Sequence, residues 1–278
     1  AYPYLSATVT DLDGTTSEFF PSSRHSPTNI YLPLIMRQGA DSQQKGIYGH
    51  VIYTGINTAG IYLDLRFYNG SAWSTQSTTV TGADGAYQFS NVPGLSSGQI
   101  YYVRYLNGQS GNADNPNYVY AWYATHITNY TGNSRVPGGD LDIADIPLVS
   151  PGSGASVTLP ATFRWTRRNI TADSYRLVMV NPALQEVATT NLLGYVDSVT
   201  VNGLPSTWSS GNLYYWWVEA HHGDGMENYG IAYGTNAVTI FHSLVKTDLG
   251  VALLPLNSQS VQVPELHERA LALERGNR

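Results

Sequence analysis

The stretch "TGADGAYQF", Thr81 to Phe89, decides the fold class. Gly85 after Asp84 supplies the positive φ of a tight hairpin turn, and Tyr87 and Phe89, two residues apart, leave it on one face of an extended chain. The same grammar continues on both sides: "GIYGHVIYT", "GIYLDLRFY" and "AWSTQSTTVT" precede it, and "QIYYVRYL" and "YVYAWYATHI" follow, each bounded by Gly, Asn, Asp or Pro. Period-two apolar patterning at this spacing belongs to an antiparallel sandwich. After a break at "VSPGSGASVTLP" it resumes with "ATFRWTRR", "SYRLVMV", "QEVATT", "DSVTVNGL", "LYYWWVEAHH" and "NAVTIFH". The expected fold is all-β: two tandem antiparallel β-sandwiches, residues 45–149 and 150–242, between extended arms, 1–44 and 243–278.

Composition agrees and removes several functions. Of 278 residues 42% are hydrophobic, too many for a disordered chain, and only 12% are charged, about half the usual share. Tyr (21) and Gly (27) outweigh Met (3), which favours strands and turns over helices. The net charge is −6 with no basic run, so no surface is built to neutralise phosphates and nucleic acid is set aside. Zero cysteines exclude disulfides and thiol chemistry. No apolar run approaches the ~18 residues of a membrane helix. A start at Ala1 is what secretory processing leaves, and also what trimming leaves; with sequons at Asn69, Asn129 and Asn169 it sets the expectation of a secreted, extracellular or cell-surface protein.

Both sandwiches resemble known families. "GHVIYTGINTAGIYLDL", with Thr81, Asp84, Gly85, Tyr87 and Phe89, is similar to the carboxypeptidase regulatory-like and collagen-adhesin B-type domains of bacterial surface proteins. Trp165 on an early strand, Leu204 closing "VTVNGL" and the late "YYWWVEA" resemble a fibronectin type III-like domain. The resemblance implies a secreted structural or adhesive protein and transfers no catalytic site. It also raises a Lys–Asn isopeptide bond between first and last strands; Lys45 stands near the first, but the expected last strand "DLDIADIPLV" holds no Asn.

Several side chains invite chemistry. Asp140, Asp142 and Asp145 in "GGDLDIAD" offer hard oxygens at a spacing that suits calcium; the alternative is a solvated acidic strand edge. "DLDG", Asp11 to Gly14, begins like a calcium loop but lacks the downstream ligands and reads as a turn. His221, His222, Asp224 and Glu227 resemble a zinc set, yet adjacent histidines on a strand point to opposite faces. Trp165 and Trp217 are expected to anchor the second core. Four successive aromatics, Tyr214, Tyr215, Trp216 and Trp217, put two on each face, so one pair faces the other domain, a protein partner or a sugar. No nucleophile elbow, zinc-protease helix or phosphate loop occurs, and the chain is expected not to be an enzyme.

The arms carry the remaining signals. In "NIYLPLIMRQ", Ile30, Leu32, Leu34 and Met36 form one apolar row of an extended strand, with Pro33 confining it to a sheet edge. It either covers an edge of its own first sandwich or is donated to a neighbouring copy, joining subunits head to tail into a filament. In the C-terminal arm "VALLPL" reads as a short strand, and Leu266, Ala270 and Leu273 share one face of a helix from about Pro264 to Arg275, for docking in the assembly or on the second domain. The expected function is therefore a structural subunit of an extracellular filament, pilus or surface layer; the alternative is a carbohydrate-binding or adhesive module with polysaccharide as partner.

Overall fold

The structure, a computed structural model of the chain, describes residues 7–10, 16–19, 45–181, 183, 187–223, 227–242, 251–252 and 254–255. The chain divides after Asp41 into two units. In the first, β1 (Ala7–Thr10) pairs antiparallel with β2 (Thr16–Phe19), Ala7 opposite Phe19. The apolar row Ile30, Leu32, Leu34 and Met36, the turn at Asp11 to Gly14 and the terminal-helix residues Leu266, Ala270 and Leu273 lie outside the described residues.

The second unit is all-β among its described residues. Its first half contains β3 (Gly46–Tyr53), β4 (Ile56–Asn57), β5 (Tyr62–Tyr68), β6 (Trp73–Val80), β7 (Ala86–Phe89), β8 (Ile100–Leu106), β9 (Ala121–Tyr123), β10 (Arg135–Pro137) and β11 (Leu141–Asp142). β3 is the axis of a small sheet: β7 and β4 pair antiparallel with one edge, and β10 and β11 pair parallel with the other. The facing sheet runs β6-β5-β8-β9. Position in that sheet accounts for burial: central β8, "IYYVRYL", is covered on both faces, whereas β6, "WSTQSTTV", pairs only with β5 and is largely exposed.

The second half contains β12 (Leu148–Ser150), β13 (Ala155–Leu159), β14 (Ala161–Trp165), β15 (Asp173–Val180), β16 (Val187–Thr189), β17 (Ser198–Gly203), β18 (Asn212–His222), β19 (Tyr229–Ile231), β20 (Asn236–His242), β21 (Val251–Ala252) and β22 (Leu254–Pro255). One sheet runs β12-β14-β17-β21. The other is built around β18, whose 11 residues hold β15 along one edge and two successive neighbours along the other: β20 against Asn212–Trp216, then β19 against Glu219–His221. "VALLPL" supplies β21 and β22, which join the two sheets of this half through β17 and β16.

The halves are not beads on a linker. β19 pairs antiparallel with β9, placing Tyr229 opposite Tyr123, Gly230 opposite Trp122 and Ile231 opposite Ala121. An 11-stranded sheet therefore spans both halves, and one core cluster runs from Ile47 to Ile240. The expected boundary at 149/150 marks the order of strands along the chain and not a break in the sheet.

Three local expectations are corrected. The Asp84-Gly85 turn does not close a hairpin: β6 pairs with β5 but β7 pairs with β3, so the turn carries the chain between sheets. Gly85 is required there, with φ of 74° and space so tight that a Cβ would sit 2.7 Å from the Val51 carbonyl. "DLDIADIPLV" is not one strand; it divides into β11, parallel to β3, and β12, which already belongs to the second half. The second core is anchored by Trp165 with Trp216, not Trp217: Trp216 packs edge-on to Phe163 at 5.2 Å, and alternation turns Trp217 to the opposite face.

That opposite face is the outer face of the shared sheet. Trp217, Val178 and Val180 from one half cluster there with Tyr102, Leu106 and Tyr123 from the other, and Tyr123 stacks on Tyr229 at 5.2 Å. At the joining ladder a Cβ on Gly230 would stand 2.6 Å from Trp122 Cε3. Gly230→Ala is expected to lower stability by about 1–3 kcal/mol through overpacking, read as a reduced urea midpoint; an unchanged midpoint would show that the ladder has slack at this contact.

Candidate functional site

Where the halves meet, a cavity of about 610 Å³ opens between the end of β3, the segment after β10 and the loop after β14. Its polar wall has a buried basis. Arg168, 5% exposed, directs Nε and Nη2 to Asp173 Oδ2, each at 2.8 Å, and donates from Nη1 to the Asp142 carbonyl at 2.5 Å. Its guanidinium also lies over the Trp122 ring, 4.9 Å from the centroid. One arginine of the second half thus grips the first half through main chain and ring together. Its own backbone is fixed too: the N–H donates to Tyr175 Oη at 2.7 Å, and the carbonyl accepts from Tyr195 Oη at 2.6 Å.

Asp140, Asp142 and Asp145 all line this cavity. They do not form a cation site. Among the described residues no group of three His, Asp or Glu side chains has metal-binding geometry. Asp140 Oδ1 accepts from the His50 N–H at 2.9 Å, Asp142 Oδ1 from the Thr54 and Ala144 N–H groups at 3.3 and 3.0 Å, and Asp145 Oδ1 from Tyr233 N–H at 2.7 Å. A guanidinium nitrogen of Arg168 already stands 3.9 Å from Asp142 Oδ1, where a cation would sit. The reading as a solvated acidic edge fails as well at Asp142, which is buried and whose Oδ2 has no hydrogen-bond partner.

The histidine pair is split across the strand, as its alternation requires. His221 is buried, stacked on Tyr229 at 4.9 Å with Nε2 3.2 Å from Glu219 Oε2. His222 faces the cavity, its Nδ1 3.3 Å from Asp173 Oδ1. Glu227 pairs instead with His126 at 3.1 Å, and Asp224 lies outside the described residues. The aromatic run offers no open platform: Tyr214, Trp216 and Trp217 are buried and Tyr215 is partly so, which leaves the reading of contact with the other domain. The sequon residues Asn69, Asn129 and Asn169 are exposed, and Asn169 lines the cavity.

Sequence reading missed Arg167, Arg168, Tyr53 and Asn117 in this site. The available signal was "TRRN": a doubled arginine directly after a strand, in a chain so poor in charge, marks a place where one guanidinium is spent inside. Lys45 Nζ donates to Asn133 Oδ1 at 3.0 Å, so the amide sought on the last strand sits just before β10. Both residues are exposed, and no carboxylate bonds to either among the described contacts, so the pair is a hydrogen bond and lacks the proton carrier an isopeptide reaction needs.

No family model matches the chain, and no curated protein matches it. Matches among solved structures include a DUF3823 family protein from Bacteroides uniformis, at 11% identity and a TM-score of 0.26, covering 71% of this chain and 99% of that one. A leucine-rich repeat protein from Bacteroides thetaiotaomicron matches at 10% identity and a TM-score of 0.24; the alignment covers 74% of this chain but only 26% of that protein's length.

Arg168→Ala leaves Asp173 without its cation in a desolvated setting and is expected to cost about 3–5 kcal/mol, measured by denaturant unfolding. Burial pushes the Asp145 carboxyl up from 3.8 to about 6, against the pull of the Tyr233 and Ile146 N–H groups and of Arg168. Between those values the folded chain holds more protons than the unfolded one. The stabilisation is therefore complete below pH 3.8 and is lost as the pH rises through 6. Asp145→Asn keeps an acceptor for Tyr233 and removes the charge; it is expected to raise stability at pH 7 by roughly 1–2 kcal/mol and to flatten the slope of melting temperature between pH 4 and 6, with an unchanged slope refuting the assignment.

Proposed function

We propose that the chain is a secreted, non-catalytic structural protein, a subunit of an extracellular filament, pilus or surface layer joined head to tail through its terminal arms. On this reading the first half is a carboxypeptidase regulatory-like or collagen-adhesin B-type sandwich and the second a fibronectin type III-like one. The supporting observation is the division of the chain after Asp41, which assigns the sequence carrying the apolar row Ile30, Leu32, Leu34 and Met36 to the smaller unit. The apolar alternation of that row in the sequence is the pattern that β-strand addition uses, and a head-to-tail contact that does not close grows a filament.

Rigidity favours the same role. A ladder between β9 and β19 and a core common to both halves make the larger unit a single body. Catalysis finds no support in the cavity: its carboxylates are each held by main-chain donors, and the buried Arg168 is neutralised by Asp173. The adhesive alternative draws on that same cavity.

Deleting residues 1–41 is the test. The shortened chain is expected to stay folded and monomeric by light scattering and to add nothing to growing polymers, whereas the full chain forms high-mass species that a peptide spanning residues 29–38 inhibits. Polymers from the shortened chain, or its failure to fold, would refute donation.

A further inference from the structure

We propose that the cavity between the two halves is a saccharide-binding site, taking a short neutral oligosaccharide or the end of a polysaccharide chain. The inference does not depend on assembly through the arms.

The ligand class follows from the wall chemistry. Asp140, Asp142 and Asp145 supply acceptors, while Arg167, Asn117 and Asn169 supply donors around the same space. A phosphate or other dianion entering here meets three carboxylates. A metal ion or polyamine meets Arg167, and behind it Arg168 beside Asp142. A sugar hydroxyl both donates and accepts, so a neutral polyol suits a wall that mixes the two at short range. Tyr53, Pro116, Pro147 and Ile170 give the apolar surface against which the C–H face of a sugar ring packs. The volume lies in the range of about 300–1,000 Å³ typical of small-molecule sites.

The wall is also held in place before a ligand arrives. Arg167 lies over the Tyr195 ring, 4.4 Å from its centroid, and donates to the Tyr195 carbonyl at 3.3 Å. Tyr53 packs against Tyr118 with ring centroids 5.2 Å apart. His222 is tied to Asp173. Fixing side chains in advance lowers the entropic cost of binding. Two further features leave hydrogen-bonding capacity at the wall. Asp142, buried and on the wall, keeps Oδ2 without a hydrogen-bond partner, and the side-chain amides of Asn117 and Asn169 face solvent with no bond inside the described structure. Polar groups left unpaired at the wall are groups that a bound hydroxyl can satisfy.

The experiment uses the full chain with maltotriose, cellotriose, mannotriose and triacetylchitotriose as probes, and sodium phosphate and calcium chloride as charged controls, read by titration calorimetry and by saturation-transfer NMR on the sugar protons. At least one trisaccharide is expected to bind and to raise the melting temperature by ligand linkage. Arg167→Ala and Asn169→Ala, both at exposed side chains, are each expected to weaken that binding by about tenfold, the loss of one strong hydrogen bond, with the ligand-free melting temperature unchanged for Asn169→Ala. Failure of all four sugars to bind at millimolar concentration overturns the proposal. So does tighter binding of phosphate or calcium, or sugar binding that both substitutions leave intact.

Discussion

Trp122 lying against Gly230 across the β9–β19 ladder is the contact on which the arrangement of the two halves depends. Only a residue without a side chain fits opposite the indole, since a Cβ would come within 2.6 Å of it. The indole nitrogen donates to Asn228 Oδ1 at 2.9 Å, and the ring's π surface lies under the Arg168 guanidinium. A three-residue ladder is a short seam by itself. What secures it is that one aromatic side chain joins a strand of the second half, the residue before that strand and the buried cation of the loop after β14. The shared outer face then follows, because Tyr123 and Tyr229 are brought opposite each other by the same register.

Buried charges act on this frame as register marks. On the outer face Arg104 donates to Asp64 at 2.7 Å, and Arg176 pairs with Glu219, each partner deeply buried. Arg104 lies opposite Asp64 in the β5–β8 pairing and Arg176 opposite Glu219 in the β15–β18 pairing. Slipping either pair by one residue would drive a charged group into the inner apolar core, at a cost of several kcal/mol. Replacing such pairs by apolar side chains of equal size is often neutral or stabilising, so their contribution here is to exclude wrong pairings more than to add stability. A chain with few charged residues thus keeps several of them out of water, on the strands that carry both halves.

The sequence displayed what is local and concealed what is lateral. Alternation in "QIYYVRYL" and "YYWWVEAHH" marked strands, and the Asp84-Gly85 turn was recognisable from the glycine alone. Whether that turn closed a hairpin or crossed between sheets depended on which strand lay beside β7, and side-chain order along the chain is silent on lateral partners. The same limit hid Trp217: alternation assigned it to the face opposite Trp216 but did not say which face was the core, and ring size alone chose the wrong one. At the site, three carboxylates within six residues were conspicuous. Arg168 was not, because its meaning comes from Asp173, Asp142 and Trp122, which only the fold brings together.

The position of the cavity is a consequence of joining two sandwiches through one sheet and not the other. β9 and β19 close the seam on the side of the 11-stranded sheet, while the sheet around β3 and the sheet beginning with β12 stay separate. Two layers tied along one side part along the other, and the gap lies between the end of β3 and the loop after β14, where the cavity is. Strand ends at such a gap expose main-chain N–H groups, and Asp140, Asp142 and Asp145 accept from several of them. A gap meant only to be filled would be lined with Leu, Ile or Phe, which pack without desolvating charge. This one is bordered by carboxylates, guanidinium groups and amides, with apolar patches between them. That pattern keeps the space open to a polar guest while the ladder opposite holds its walls at a fixed separation, so the join that makes the unit rigid is also what shapes the site.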